Sequence, residues 1–373
     1  YTRIMNPTTD VLEQRCAQLE EGIAALAVSA GSAAVNYSIL NIAEQGHNIV
    51  SVPLLYGGTY TLFKHMLPRQ GIEVRFGKDD SVAELAKLID DKTQALYCES
   101  IGNPAGNIVD IEALADLAHE NGVPLIVDNT VATPVLIKPI EWGADVVVNS
   151  LTKYMAGHGN SLGGVIVDGG EFPWAKHAGK FHMLTQPEPS YHGVVYTDAL
   201  GAADYIGRAR TGALRNTGSA LSPMNAFLIL QGIQTLPLRM ERHCDNALAV
   251  AKHLQDHPRV AWVNYAGLPD SPYFDLARKY TNGKPSALMT FGIKGGFEAG
   301  VKFYDALQMF LRLVNIGDTK SLAAHPASTT HRQLSGEELE AAGVTPDMIR
   351  LCIGIEHIDD IIADLDQALE AAG

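Results

Sequence analysis

Lys153 closes the run Val146-Val147-Val148-Asn149-Ser150-Leu151-Thr152-Lys153, in which two hydroxyls and an amine stand together just past an apolar strand. A lysine so placed can form a Schiff base with a carbonyl. Upstream, a second apolar segment, Pro124-Leu125-Ile126-Val127, runs into Asp128, and a carboxylate at that strand end could keep a pyridine nitrogen protonated. An amine and a carboxylate at two strand ends point to pyridoxal phosphate. Taken singly, Lys153 also reads as a loop lysine and Asp128 as a turn cap. Their joint presence with the groups that follow favours the chemical reading.

Several other residues invite chemistry. Ser29-Ala30-Gly31-Ser32-Ala33-Ala34 follows a strand and opens a helix, so its amides could cradle a phosphate at the positive helix end. Alone it also reads as an ordinary tight turn, and it lacks the GxGxxG pattern of a dinucleotide site. Tyr56, in Leu55-Tyr56-Gly57-Gly58-Thr59, follows a strand and could stack on a flat ring or simply pack. Arg350 begins the apolar run Leu351-Cys352-Ile353. A buried arginine there needs an anion, either a substrate carboxylate held through paired N–H donors or a structural salt bridge. His253 and His257 have the i,i+4 spacing of zinc ligands but stand before Pro258 with no evident third ligand, so they read as a solvated helix end, and no metal is expected.

The elements that must position these residues alternate. Ala24–Val28, Ile49–Val52, Glu73–Phe76, Ala95–Cys98, Pro124–Val127, Asp145–Val148 and Gly164–Val167 are strand candidates, most of them continuous apolar runs of the kind buried on both faces. Helical periods lie between them, such as the one opened by Asp110 and stopped at Asn121-Gly122. The pattern predicts an α/β domain with a mostly parallel, seven-stranded sheet wrapped by helices. Residues 172–196 crowd Trp, His, Pro and Tyr without periodicity and read as a functional or interfacial loop. A long helical stretch from Ser222 towards Gln255 should break or kink at Pro237. We place the domain boundary there, with a large domain over 1–236 and a smaller α+β domain over 237–373. Strands near Leu288–Ile293 and Ile349–Ile355 are expected in the latter, with helices near Glu298–Phe310 and Asp359–Ala371.

Composition sets the outer limits. A chain of 373 residues suggests roughly two domains. A formal net charge of −14 opposes nonspecific nucleic-acid binding. The cysteines Cys16, Cys98, Cys244 and Cys352 are far apart, and Cys98 and Cys352 lie in apolar runs, which points to buried thiols in a reducing cytosol. No run approaches the ~18 residues of a membrane span, and no charged-then-apolar leader precedes the first helix. The chain begins at Tyr1 rather than Met, in what reads as the middle of an element, so a segment upstream is expected.

With these residues in hand, the chain resembles the Cys/Met-metabolism family of pyridoxal-phosphate enzymes, of fold type I. The resemblance rests on Tyr1-Thr2-Arg3, Tyr56-Gly57-Gly58-Thr59, Glu99-Ser100-Ile101-Gly102-Asn103-Pro104, Asp128-Asn129-Thr130, Ser150-Leu151-Thr152-Lys153-Tyr154 and His325-Pro326-Ala327-Ser328-Thr329-Thr330-His331, in that order along essentially the whole chain. Asn315-Ile316-Gly317-Asp318 and Glu188-Pro189-Ser190-Tyr191 look most like the members that replace the acetyl group of O-acetyl-L-homoserine by sulfide or methanethiol, giving homocysteine or methionine and acetate. Cystathionine γ-synthase, O-succinylhomoserine sulfhydrylase and methionine γ-lyase activities stay open, although Gly58 differs from the Cys that methionine γ-lyases usually carry.

By resemblance, Lys153 would bind the cofactor covalently and move protons, Asp128 would hold the pyridine proton, and Tyr56 would stack on the ring and act as acid and base. Gly31, Ser32, Ser150 and Thr152 would bind the phosphate, and Asn103 the ring hydroxyl. Arg350, with the backbone near Asn315, would hold the substrate carboxylate. Tyr1 and Arg3 would reach the phosphate of a neighbouring subunit, making a homodimer the minimum and a homotetramer the expected assembly. The resemblance also implies a cytoplasmic enzyme of methionine biosynthesis whose partners are small molecules, with neither nucleic acid nor membrane among them.

Overall fold

Short apolar runs separated by helices fold as α/β structure because strands buried on both faces need helices to cover them. The computed structural model describes residues 1–329 and 344–373, so Thr330 and His331 of the His325–His331 motif lie outside the described residues. The chain divides into two compact units, one formed by Tyr1–Ser100, Val109–Ala156 and Asn160–Gln234, the other by Ile101–Ile108, Gly157–Gly159 and Thr235–Gly373.

In the first unit, helix α1 (Pro7–Leu19) precedes β1 (Ala24–Val28), and Asn6 caps it by accepting from the Thr8 amide at 3.0 Å. Helix α2 (Gly31–Leu40) comes next. The remaining strands are β2 (Asn48–Ser51), β3 (Glu73–Phe76), β4 (Thr93–Glu99), β5 (Leu125–Asp128), β6 (Val146–Asn149) and β7 (Gly164–Asp168). They form one seven-stranded sheet in the order β1-β7-β6-β5-β4-β2-β3. Strand β7 is antiparallel to β1 and β6, and every other pairing is parallel. The sheet is therefore mostly parallel, and the carboxyl ends of β4, β5 and β6 fall together at Glu99, Asp128 and Asn149. Such strand ends are where open α/β sheets bind ligands.

The second unit carries a sheet of five strands, more than two recognisable apolar runs predict. Its members are β8 (Val260–Asn264), β9 (Leu288–Ile293), β10 (Leu311–Arg312), β11 (Leu322–Ala324) and β12 (Met348–Cys352), in the order β10-β11-β12-β9-β8. Central β9 and β12 are buried along their whole length. Helices Leu236–Asp256, Gly296–Ala306 and Ile358–Ala371 supply the rest of its core, which includes Ala247, Phe291, Phe303, Ile349 and Leu365.

Two expectations need correcting. The helical stretch expected to break or kink at Pro237 does break, but just before that residue, into Pro223–Ile233 and Leu236–Asp256. Pro237 sits in the first turn of the second, where its missing N–H would have had no helical partner anyway. The helix expected to reach Phe310 ends at Ala306, because the Asp364 carboxylate captures the amides of Gln308, Met309 and Phe310 at 2.9, 2.9 and 3.0 Å.

Candidate active site

Each cofactor-site residue of the first unit lies at the end of an element. Lys153 is half-buried in the turn after β6, its amide donating to the Ser150 carbonyl at 3.2 Å. The Ser150 amide donates to Thr130 Oγ1 at 2.7 Å. Thr152 Oγ1 exchanges bonds with Gly163, accepting from its amide at 3.1 Å and lying 3.2 Å from its carbonyl. Asp128 ends β5 and accepts at Oδ1 from the Thr130 amide at 3.0 Å. Burial pushes its carboxyl above the usual range, with Thr130 and Tyr97 pulling it back down.

Gly31 opens α2, and its lack of a side chain is required: a Cβ there would stand 2.6 Å from Ser150 Cβ and 2.9 Å from Ser150 Cα. Backbone thus meets backbone, and the first-turn amides of Gly31 and Ser32, which have no carbonyl partner within their own helix, open beside the Ser150 hydroxyl. Tyr56 immediately precedes the helix Gly57–Thr61 and is 48% exposed, so its ring is available to a ligand. Its amide donates to Glu99 Oε1 at 2.6 Å, and a Cβ on Gly58 would come within 2.6 Å of Tyr56 Cε1. A flat anionic cofactor fits this set: a helix start that a single Cβ would fill, a buried carboxyl suited to a protonated ring nitrogen, and a lysine in the turn that Ser150 opens.

At the chain start, Tyr1 is 89% exposed. Arg3 donates through Nη1 to the Arg215 carbonyl, and its guanidinium lies 5.3 Å from the Tyr1 ring centre.

In the second unit, Arg350 is buried on β12. Nη1 donates to Asn103 Oδ1 at 3.2 Å and Nη2 to the Asn315 carbonyl at 3.1 Å, so the structure brings together three residues far apart in sequence. Asn103 is held in a small loop closed by the bridge Ile101–Ile108 and by the Gly102 amide donating to the Asn107 carbonyl at 2.9 Å. A guanidinium fixed at both ends is prepared for a carboxylate.

Three carboxylates and an aromatic were given no role by their position in the sequence. Glu99 anchors Tyr56. Glu20 reaches the strand ends. Asp168 and Tyr97 are buried. Glu99 and Asp168 carried a signal, each a charge closing an apolar run, Ala95–Cys98 for the one and Gly164–Val167 for the other. His253 Nε2 pairs with Asp366 at 2.6 Å, a third group that the chain brings from its last helix. Among the described residues no cluster of three or more His, Cys, Asp or Glu is arranged to hold a metal ion. Phe172, Trp174 and Phe181, in the aromatic stretch without periodicity, pack together, with ring centres 4.5 Å apart for the first pair and 4.9 Å for the second. All four cysteine side chains are buried. Among the described residues no helix is long and apolar enough to cross a membrane.

The chain is similar to known proteins over nearly its whole length. O-acetyl-L-homoserine sulfhydrylase 1 of Thermus thermophilus is 52% identical over 371 residues, spanning 99% of this chain and 88% of its own. Homocysteine synthase of Schizosaccharomyces pombe is 50% identical over 373 residues, 100% of this chain and 87% of its own. A solved structure described as an O-acetylhomoserine (thiol)-lyase from Campylobacter jejuni superposes with a TM-score of 0.95 at 43% identity, over 99% of this chain and 88% of that one, and contains a pyridoxyl-lysine monophosphate. Residues 1–370 match the Cys/Met metabolism PLP-dependent enzyme family. With that match over nearly its whole length, the chain belongs to that family of pyridoxal-phosphate enzymes.

Proposed function

We infer that the protein catalyses γ-replacement on O-acetyl-L-homoserine, with sulfide or methanethiol as nucleophile and homocysteine or methionine and acetate as products. The observation that carries this reading is that relatives bearing that activity in their names are about half identical across nearly the whole chain, 52% for one and 50% for another. Bound pyridoxal phosphate supplies an electron sink for negative charge developing at the α and β carbons of the amino acid.

The protein's own residues do the rest. Lys153 anchors the cofactor and carries protons to and from the α and β carbons. Asp128 holds the proton on the ring nitrogen, and the burial that raises its carboxyl is offset by that positive charge. Tyr56 packs on the ring and handles the proton at the γ side. Gly31, Ser32, Ser150 and Thr152 bind the phosphate and Asn103 the ring hydroxyl. Arg350, set by Asn315, receives the substrate carboxylate. The reading includes a cofactor domain over 1–236 and a second domain over 237–373. It also includes a cytoplasmic location, a homodimer as the minimal active unit and a homotetramer as the full assembly, in which Tyr1 and Arg3 serve a neighbour's phosphate.

Steady-state rates with O-acetyl- and O-succinylhomoserine, each with sulfide, methanethiol or cysteine, test the activity. The acetyl ester with sulfide or methanethiol should have the highest kcat/KM. Preference for the succinyl ester or for cysteine would replace this reading by one of the related activities.

A further inference from the structure

Glu20, the residue that ends α1, is completely buried, and no step above uses it. Its carboxylate accepts from two amides at once. Asn149 Nδ2 donates to Oε1 at 2.7 Å, and Asn129 Nδ2 lies 3.1 Å from Oε1 and 3.3 Å from Oε2. Asn149 is the last residue of β6 and directly precedes Ser150, while Asn129 directly follows Asp128 at the end of β5. Those strands are parallel neighbours.

The network reaches further. Asn129 Nδ2 also donates to the Ile137 carbonyl at 2.8 Å, and its Oδ1 accepts from Ser100 Oγ at 2.8 Å, just beyond β4. One carboxylate is therefore the hub joining the ends of three adjacent strands to the end of a helix.

We propose that Glu20 is a positioning residue, a clamp acting through Asn129 and Asn149 that fixes the spacing between Asp128 and the Ser150–Lys153 turn. The clamp rests on those residues being the cofactor site. A fixed spacing matters because the ring nitrogen and the phosphate are parts of one rigid molecule, and the groups that meet them gain most when their supports are locked. An apolar side chain could fill the same volume. It could not hold two amides. Burial disfavours the charged form and raises the carboxyl to about 7, with Asn129, Asn149 and Lys138 lowering it, so the group is not there for a cheap core contact.

The test compares Glu20→Leu, Glu20→Gln and the double exchange Glu20→Gln/Asn149→Asp with the parent enzyme. Three quantities are read: thermal unfolding of the apoenzyme, the dissociation constant for pyridoxal phosphate from titration of the apoenzyme, and kcat separately from KM. Either single change at 20 should weaken cofactor binding by about tenfold or more, the scale seen when a supporting partner of a bound group is lost. kcat should fall with KM little changed. In the double exchange the new amide at 20 donates to the new carboxylate at 149, reversing the bond's direction while keeping its span, and cofactor affinity should recover most of the loss.

Glu20→Gln keeps size and shape and carries the test if Glu20→Leu fails to fold. A lower melting temperature with unchanged cofactor affinity and kcat would overturn the clamp, and so would a double exchange that binds cofactor no better than Glu20→Gln alone. Lys153→Ala serves as the control for the underlying reading. Cofactor still bound covalently after borohydride reduction of that variant, seen by mass spectrometry, would overturn the reading and the clamp together, whereas failure of the Glu20 variants alone overturns only the clamp.

Discussion

Tyr56 and Arg350 show how a single side chain is set by what surrounds it. The Tyr56 ring lies over Gly58, where even a methyl group would stand 2.6 Å from Cε1. Because the ring is half exposed, it can swing aside at little energetic cost. Gly58→Ala should therefore leave the melting temperature nearly unchanged, within the ~0.5 kcal/mol of an ordinary surface change. The displaced ring should still lower kcat by about tenfold or more, since misplacement by about 1 Å can cost 10²-fold. Equal kcat for variant and parent would show that the ring's placement does not matter to the reaction. At Arg350, replacement by Leu removes donors to Asn103 and Asn315 and, on the proposed function, to the substrate carboxylate. KM for the amino acid should rise by about 10²-fold, on the order of the 1.5–3 kcal/mol of a charged hydrogen bond. Cofactor affinity should change far less. The reverse pattern would make Arg350 a phosphate or structural ligand.

At the scale of elements, strand ends place the candidate residues, and α2 adds the helix terminus proposed to meet the phosphate. Gly31→Ala would push a Cβ into Ser150 Cα at 2.9 Å, and since the obstacle is backbone it cannot rotate away. Cofactor dissociation should rise by about 10- to 100-fold, the scale of lost supporting contacts, measurable by equilibrium titration of the apoenzyme. Unchanged affinity would remove the α2 terminus from the phosphate site. Most strands of the first sheet were legible as continuous apolar runs ended by polar residues, Glu73-Val74-Arg75-Phe76 alternating instead, and Lys153 and Asp128 drew notice because they stand where two such runs stop. Strands β10 and β11 were not. They span two and three residues, too short for any period to show. The roles of Glu20 and Asn149 were equally hidden, since a glutamate ending a helix reads as solvated until strand register brings two amides to it. Pro237 misled for a related reason: proline breaks a helix interior but is welcome in its first turn, and the sequence does not number the turns.

For the molecule as a whole, the response to pH and the proposed assembly can each be tested. Asp168 ends β7, where burial and the charges of Asp204 and Asp145 raise its carboxyl to about 8 against the Gly170 amide. An unfolded aspartate ionises near ~4. Between about pH 4 and pH 8 the unfolded chain thus gives up a proton that the folded chain keeps, and stability falls as pH rises through that window. Asp168→Asn should raise the melting temperature at pH 8 and confer no such gain at pH 4, as calorimetry across the range would show. A difference independent of pH would assign the effect to packing. Assembly can be tested by mixing. If Arg3 serves a neighbour's site, inactive Lys153→Ala and Arg3→Ala subunits should regain part of the parent activity when reassembled, because one site of each hybrid dimer would contain both intact residues. Verified hybrids without activity would argue against shared sites.

Segments Ile101–Ile108 and Gly157–Gly159 are encoded in the first half of the chain yet belong to the second unit. On a ribosome that ordering has a temporal consequence. The loop carrying Asn103 is synthesised long before β12 and Arg350, so its bond to Arg350 can form only after nearly all of the chain has emerged. The seven strands of the first sheet have all emerged by Asp168, whereas Arg350 and Asn103 come together last. A nascent chain stalled midway would already contain Lys153 and Asp128 but not yet Arg350.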